Sequence, residues 1–314
     1  LIKNTRDIQK IKTAEKDIFI WILNNEKICF KINNNVLEYF EFTDKNEYKN
    51  LYIYRNFDYN IDNIIEKKNS CYKLIEKIKS DTKDTDYIMA VKSHCPQIFQ
   101  YISNKFKFNS LDLKFGLTTV FFNFLFLLII KNFPSYQHLS LQKYFLIQGL
   151  GGSGKSELAS MLHSFVDSYL IFDGELGDLG GRFETSFMMN KQLLSFADER
   201  LDFSSSRQAK KESVLKKLTG GTDKIRAEEK FEKVFSFNNT GLVVITINER
   251  ENLTKPTFIA DNRRRLLMPI TNPIRAENQD SSVLKKILQE EYLHLIVLAL
   301  KFKDKSQNIL DFLK

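Results

Sequence analysis

Residues Gly149-Leu-Gly-Gly-Ser-Gly154-Lys155-Ser156 constrain this chain more than any other stretch. They fit the spacing GxxxxGK[ST], they follow the apolar run Tyr144-Phe-Leu-Ile-Gln148, and they precede a helix-compatible segment, Lys155 to Val166. A glycine-rich turn between strand and helix can face its backbone N–H groups inward around phosphate oxygens. The following helix directs its positive end at the same charge. Lys155 then neutralises the β- and γ-phosphates, and the Ser156 hydroxyl helps to hold Mg²⁺. Gly149, Gly151, Gly152, Ser153, Gly154, Lys155, Ser156 and Glu157 form the expected nucleotide-binding set, with ATP and Mg²⁺ as cofactors. A turn that binds nothing has no need of Lys and Ser directly after its last glycine.

After Pro134 apolar strand-like runs alternate with helical stretches, the pattern of a parallel α/β sheet. The candidate strands are Tyr144–Gln148, Gln192–Ala197, Leu242–Ile247 and Arg265–Ile270. The helices are Lys155–Val166, Lys210–Leu218 and an amphipathic tail, Ser282–Phe302. A boundary near this proline divides the chain into residues 1–135, a mostly helical accessory part, and residues 136–314. Within the first part, β-prone runs broken by asparagines between Ile18 and Phe42 predict a hairpin or a few-stranded sheet. Helical spacing predicts an amphipathic helix over Ile61–Ser80 and further helices at Tyr87–Val91 and Gln97–Phe106. The apolar run Leu117 to Ile130 has 14 residues and contains Asn123, too short for a membrane span of about 20 residues, so it reads as a buried helix. With 43% hydrophobic residues over 314 positions, the chain can bury a sizeable core.

Lys191-Gln-Leu-Leu-Ser-Phe-Ala-Asp198-Glu199 is an apolar strand that ends in two acids, 43 residues beyond Lys155. In a parallel sheet the carboxyl ends of the strands open into the crevice that holds the phosphate loop. Asp198 is therefore the expected Mg²⁺ ligand, through water, and Glu199 the base that orients and deprotonates an attacking water. An isolated Asp-Glu pair merely solvates a strand end, and it is the phosphate loop upstream that turns the reading towards catalysis. Leu242-Val-Val-Ile-Thr-Ile-Asn248 is a nearly all-apolar strand ending in Asn, as a central parallel strand entering the site would be. Asn248 can polarise the attacking water or sense the γ-phosphate, although Asn is also common as a turn starter.

In order, GLGGSGKS, FADE, ITIN and Asn262-Arg-Arg-Arg265-Leu-Leu-Met-Pro-Ile270 resemble the superfamily 3 helicases, especially the D5-like branch joined to primases or primase-polymerases of phages, plasmids and large DNA viruses. The segment Leu215-Lys-Lys-Leu-Thr-Gly-Gly-Thr-Asp223 looks like that branch's LKxLTGGD, with Thr222 intervening. The resemblance covers about residues 140 to 300. It implies an AAA+ P-loop domain with a parallel central sheet, preceded by a helical collar with a small β element, that assembles into a ring, usually a hexamer. It makes Asn248 the sensor residue and supplies an arginine to the neighbouring subunit's site, by register Arg265, with Arg264 as the other candidate. The catalytic set is then Lys155, Glu199, Asn248, Arg265 and Arg264.

The resemblance also implies a β-hairpin that tracks single-stranded DNA. Lys224 to Phe237 is the candidate, with Lys224, Arg226, Lys230, Phe231 and Lys233 as DNA-binding residues. From Arg207 to Lys233 nine basic residues face five acidic ones, a balance that suits phosphate contacts, while an aromatic ring stacks on bases. Glu228, Glu229 and Glu232 oppose that reading, and a solvated charged hairpin is the alternative. The net charge of +8 is compatible with a polyanionic partner without requiring one.

Cys29, Cys71 and Cys95 form neither a disulfide framework nor a zinc motif, and no secretion signal precedes Ile18, so a cytoplasmic setting is expected. The four histidines are scattered, which favours surface or core roles over metal ligation. Because the chain begins with Leu1, it is expected to be a piece of a longer protein, with a primase or polymerase domain as the linked partner. Two functions share the nucleotide site. The first is an ATP-driven translocase separating forked DNA, and the alternative is an ATP-dependent origin-binding or loading module. A small-molecule kinase lacks the ordered Asn strand and basic hairpin.

Overall fold

The computed structural model describes residues 20–23, 28–33, 36–41, 54–57, 86–106, 111–132, 136–175, 179, 183–199, 213–230, 234–248, 263–270 and 282–313. In the N-terminal part, strands β2 (Ile28–Asn33) and β3 (Val36–Glu41) pair antiparallel, and β1 (Ile20–Leu23) pairs with β4 (Tyr54–Phe57) in parallel. The hairpin expected between Ile18 and Phe42 is β2–β3. The parallel pair joins segments too far apart for local patterning to reveal. The helix expected over Ile61–Ser80 lies outside the described residues.

Three helices follow, α1 (Tyr87–His94), α2 (Pro96–Lys105) and α3 (Leu111–Ile130). Asp86 starts α1 by accepting from the N–H groups of Ile88 and Met89, at 2.9 and 3.1 Å. From Phe121 to Ile130 the side chains of α3 are buried, which is why its sequence is apolar on every side. No helix among the described residues is long and apolar enough to cross a membrane.

The centre of the chain is a five-stranded parallel sheet in the order β11-β5-β10-β7-β6. Its strands are β5 (Tyr144–Gly149), β6 (Ile171–Gly174), β7 (Leu193–Glu199), β10 (Leu242–Asn248) and β11 (Arg265–Ile270). Side-chain alternation divides its residues between two cores. Phe145, Ile147, Leu193, Leu242, Val244, Met268 and Ile270 face the cluster built by α1 to α3, α4 (Lys155–His163), α6 (Ser282–Lys301) and α7 (Ser306–Leu313). Tyr144, Leu146, Leu194, Phe196, Val243, Ile245 and Ile247 face a smaller cluster that includes Leu215 and Leu218 of α5, residues 213–218. Because both faces are covered, the strands read as continuous apolar runs rather than alternating ones. This is the α/β P-loop domain with a parallel sheet, preceded by helices and a small β element, that the sequence led us to expect.

Helix α4 stops at His163, three residues short of the expected end. Side chains from elsewhere satisfy the carbonyls beyond it. Tyr292 donates its hydroxyl to Ser164 O at 2.8 Å, and Asn132 Nδ2 donates to Phe165 O at 3.0 Å. The Phe165 ring stacks on Tyr292, centroids 4.5 Å apart. A helix end needs such acceptors filled, and here α6 and the turn after α3 fill them.

Helix α6 also starts α2. Glu291, only 4% exposed, accepts from Gln97 N at 3.0 Å and from Ile98 N at 2.8 Å. Burial raises its carboxyl pKa, while the two backbone N–H donors act in the opposite direction. Glu291→Ala strands the buried N–H of Ile98 and the part-buried N–H of Gln97 at the amino end of α2 and is expected to cost about 2 to 3 kcal/mol. Thermal unfolding should show a fall in Tm of about 4 to 8 °C, with Glu291→Gln falling less. An unchanged Tm for Glu291→Ala would show that this cap does not stabilise the fold.

Candidate phosphate-binding site at the carboxyl edge of the sheet

The register puts the phosphate loop, Asn248 and the Asp198–Glu199 pair on one edge. Asn248 pairs with Gly149, Ile270 pairs with Gly149 from the other side, and Ile247 pairs with Glu199. Strand β5 thus delivers the glycine-rich loop at its carboxyl end, between Asn248 and the end of β11. Gly149 is required there by space, since a Cβ at this position would meet Ser153 Oγ at 2.7 Å and Ile270 O at 2.9 Å. Gly152 and Gly154 have φ of 73° and 90°, the left-handed region in which L side chains are strained.

Lys155 is buried at 6% exposure, and its ammonium has three acceptors. Nζ lies 3.1 Å from Gly149 O, 3.0 Å from Leu150 O and 2.9 Å from Asn248 Oδ1. Two residues far apart in sequence, Lys155 and Asn248, are therefore brought into direct contact. Gly151, Gly152 and Ser156 are exposed, so the loop's outer side faces solvent. Ser153 is fully buried, and its hydroxyl has no hydrogen-bond partner among the described residues. Glu157, counted from the sequence with the nucleotide-binding residues, accepts from Lys105 of α2, Nζ to Oε2, at 2.9 Å.

Strand β7 carries the acids. It runs two residues further than expected, to Glu199, because Asp198 and Glu199 continue alongside β10. Pairing shifts there: Ile245 is opposite Phe196 and Ile247 opposite Glu199, so β7 holds one extra residue at Ala197–Asp198. Such a bulge changes the direction in which a strand end presents its residues and recurs beside active sites. Strand β10 lies between β7 and β5, so the backbone of the Asp198–Glu199 pair runs roughly 10 Å from the strand that delivers the phosphate loop, two strand spacings across. Among the described residues no three His, Cys, Asp or Glu side chains form a metal cluster of their own. Any cation here would need the loop hydroxyl and phosphate oxygens as well, the donor set that Mg²⁺ prefers.

The segment before β10 is a hairpin, β8 (Lys224–Ala227) paired antiparallel with β9 (Phe235–Asn238). Ile225 and Ala227 are buried, whereas Lys224 and Arg226 alternate with them into solvent. Lys230 is exposed in the connecting turn, and Phe231 and Lys233 lie outside the described residues. Gly221, with φ of 74°, turns the chain from α5 into the hairpin, and Asn239 anchors its exit by donating to Leu218 O at 2.8 Å. Arg263 is exposed, and Arg264 donates to the backbone oxygen of Lys216. Arg265 opens β11 opposite Tyr144, at the far end of the sheet from the loop.

Sequence reasoning missed Lys105 and Tyr101 of α2, which reach the loop from 50 and 54 residues before Lys155. Helical periodicity marks α2 as a helix but carries no sign of which end meets a distant loop.

Comparisons with known proteins bear on the same region. A family of unknown function (DUF5906) matches residues 147–265. None of the curated proteins matches the chain. Among solved structures, an apo form of the NrS-1 C-terminal region is 13% identical with a TM-score of 0.44, over 94% of this chain and 72% of that one. A second apo structure of that region is 14% identical at the same TM-score of 0.44 and the same coverages. The JCV helicase bound to a small molecule is 14% identical with a TM-score of 0.34, over 78% of this chain and 72% of that one.

Proposed function

We propose that this chain is an ATP-hydrolysing DNA motor of the superfamily 3 type, acting in replication as part of a phage or plasmid protein within the cytoplasm. The observation that carries the reading is the shared edge: the loop lysine and Asn248 are in contact, and the backbone of the Asp198–Glu199 pair stands next to Asn248 in the register. In this reading Lys155 and the loop N–H groups bind the β- and γ-phosphates, and Asn248 exchanges the lysine for the attacking water or the γ-phosphate. Glu199 takes the proton of that water as it attacks the γ-phosphorus, and the β–γ bridging oxygen leaves with ADP. Ser156 and Asp198 would hold Mg²⁺, which supplies neutralisation of the phosphate charge.

Residues 136–314 are the motor in this proposal and residues 1–135 its collar-like accessory part. Arg265 of one subunit completes the site of the next in a ring, and a primase or polymerase domain is a candidate linked partner. Lys224, Arg226 and Lys230, with Phe231 and Lys233 of the turn, grip single-stranded DNA. The alternation of basic and buried residues on β8 supports a gripping face, because its outward side is positive while its inward side is fixed in the smaller core.

The test measures ATPase activity with and without single-stranded DNA, followed by strand displacement on a forked duplex. Stimulation of several-fold together with displacement is expected. Stimulation without displacement would instead favour an origin-binding or loading module, and indifference to DNA would remove both nucleic-acid readings.

A further inference from the structure

Helix α2 ends against the phosphate loop, and its last residue, Lys105, is 4% exposed. A Cβ built on Gly154 would meet Lys105 Nζ at 2.6 Å, so the ammonium lies against the last glycine of the loop. The same nitrogen is 2.9 Å from Glu157 Oε2 and 4.7 Å from the centroid of the Tyr101 ring. The Tyr101 hydroxyl bonds the Glu157 carboxylate as well; burial first, and this carboxylate second, push the phenol well above its ordinary pKa. Two side chains of α2 therefore grip one carboxylate in the first turn of α4.

The electrostatics of this arrangement are unusual for a stabilising ion pair. A carboxylate in the first turn suits an isolated helix, because it faces the positive end of the dipole. In this helix the same end is where phosphate oxygens are expected, and a free carboxylate there repels them. Lys105, for its part, is desolvated and lies at the positive end of a helix, an unfavourable place for a cation. Buried ion pairs can often be replaced by apolar residues of similar volume with little loss of stability, so packing alone gives no reason for an ammonium at this point.

We infer that Lys105 is a positioning residue of the nucleotide site: it neutralises Glu157 and draws its carboxylate aside, so that the first turn of α4 presents N–H groups rather than negative charge to the phosphates. Tyr101 completes the hold. Through this contact α2, which Glu291 fixes at its other end, is joined directly to the phosphate loop. The inference rests on the loop binding a nucleoside triphosphate.

The experiment measures binding of MgATP and of non-hydrolysable MgAMP-PNP to the full chain by calorimetry, with steady-state ATPase and thermal unfolding alongside. Absence of binding by the unaltered chain would overturn the nucleotide reading and this inference with it. Given binding, Lys105→Met leaves Glu157 negative and uncompensated, and affinity should fall roughly ten-fold, with KM rising more than kcat falls. Lys105→Met combined with Glu157→Gln removes both charges, and affinity should recover to within about three-fold of the unaltered chain. Lys105→Arg keeps the charge and should bind like the unaltered chain or nearly so. Unaltered affinity in Lys105→Met overturns the inference. So does a double variant no better than the single one, especially if both share the same lowered Tm, because the lysine would then serve only the fold.

Discussion

Lys155→Ala is expected to reduce nucleoside triphosphate turnover by about 10² to 10³-fold or more and to weaken nucleotide binding, while the chain stays folded. The magnitude follows from what the ammonium does before any phosphate arrives. Its three donors are matched to three oxygens, those of Gly149, Leu150 and the Asn248 side chain, which satisfies every donor an ammonium has. The loop is thus held closed on its own lysine, and phosphate oxygens enter by replacing these acceptors. Removing the lysine takes away both the charge that attracts the phosphates and the partner of Asn248. Some stability is also lost, about 1 to 2 kcal/mol, because carbonyls on a tight loop lose their donor. ATPase assays, nucleotide titration and thermal unfolding separate these effects: a deep loss of turnover with a small fall in Tm is the expected pattern. Full turnover in Lys155→Ala would eliminate the loop as the catalytic site.

What was legible in the sequence follows the reach of each physical signal. Four of the five sheet strands were readable, and Tyr144–Gly149 and Leu242–Asn248, buried on both faces, carry nearly all-apolar runs; β6, Ile171-Phe-Asp-Gly174, is short and partly exposed and gave no such run. Arg265–Ile270 was found to its ends. The loop was readable because phosphate binding needs specific residues at fixed spacing within eight positions. By contrast, the end of α4 is set by Tyr292 and Asn132, and the start of α2 by Glu291, contacts that join residues more than 30 positions apart. No local period encodes them. The bulge near Asp198 was also hidden, since it exists only as a mismatch between β7 and its neighbour. The contact of Lys105 with Glu157 belongs to the same class, since 52 positions separate the two residues.

Arg265→Ala is expected to lower turnover by about 10³-fold or more, the scale of a catalytic arginine, and to do so without lowering nucleotide affinity in proportion. The parallel register supplies the argument. Arg265 pairs with Tyr144 and Ile270 with Gly149, so Arg265 stands five residues, roughly 16 Å along the strand, from the loop of its own chain. An arginine side chain does not cover that distance along a packed sheet. A catalytic role for Arg265 is therefore a role in a neighbouring copy's site, across a head-to-tail interface. Arg264, the other candidate, donates to the backbone of Lys216 and so ties β11 to α5 within one chain, which favours Arg265 for the reach between copies. Mixing tests this directly. Arg265→Ala subunits keep an intact loop, and Lys155→Ala subunits keep an intact arginine, so in a one-to-one mixture about a quarter of head-to-tail interfaces regain both halves. ATPase activity of the mixture should then rise well above that of either variant alone. Activity no higher than the average of the two would show that Arg265 does not complete a neighbouring site, and Arg264→Ala in the same mixing experiment would then show whether Arg264 does so instead.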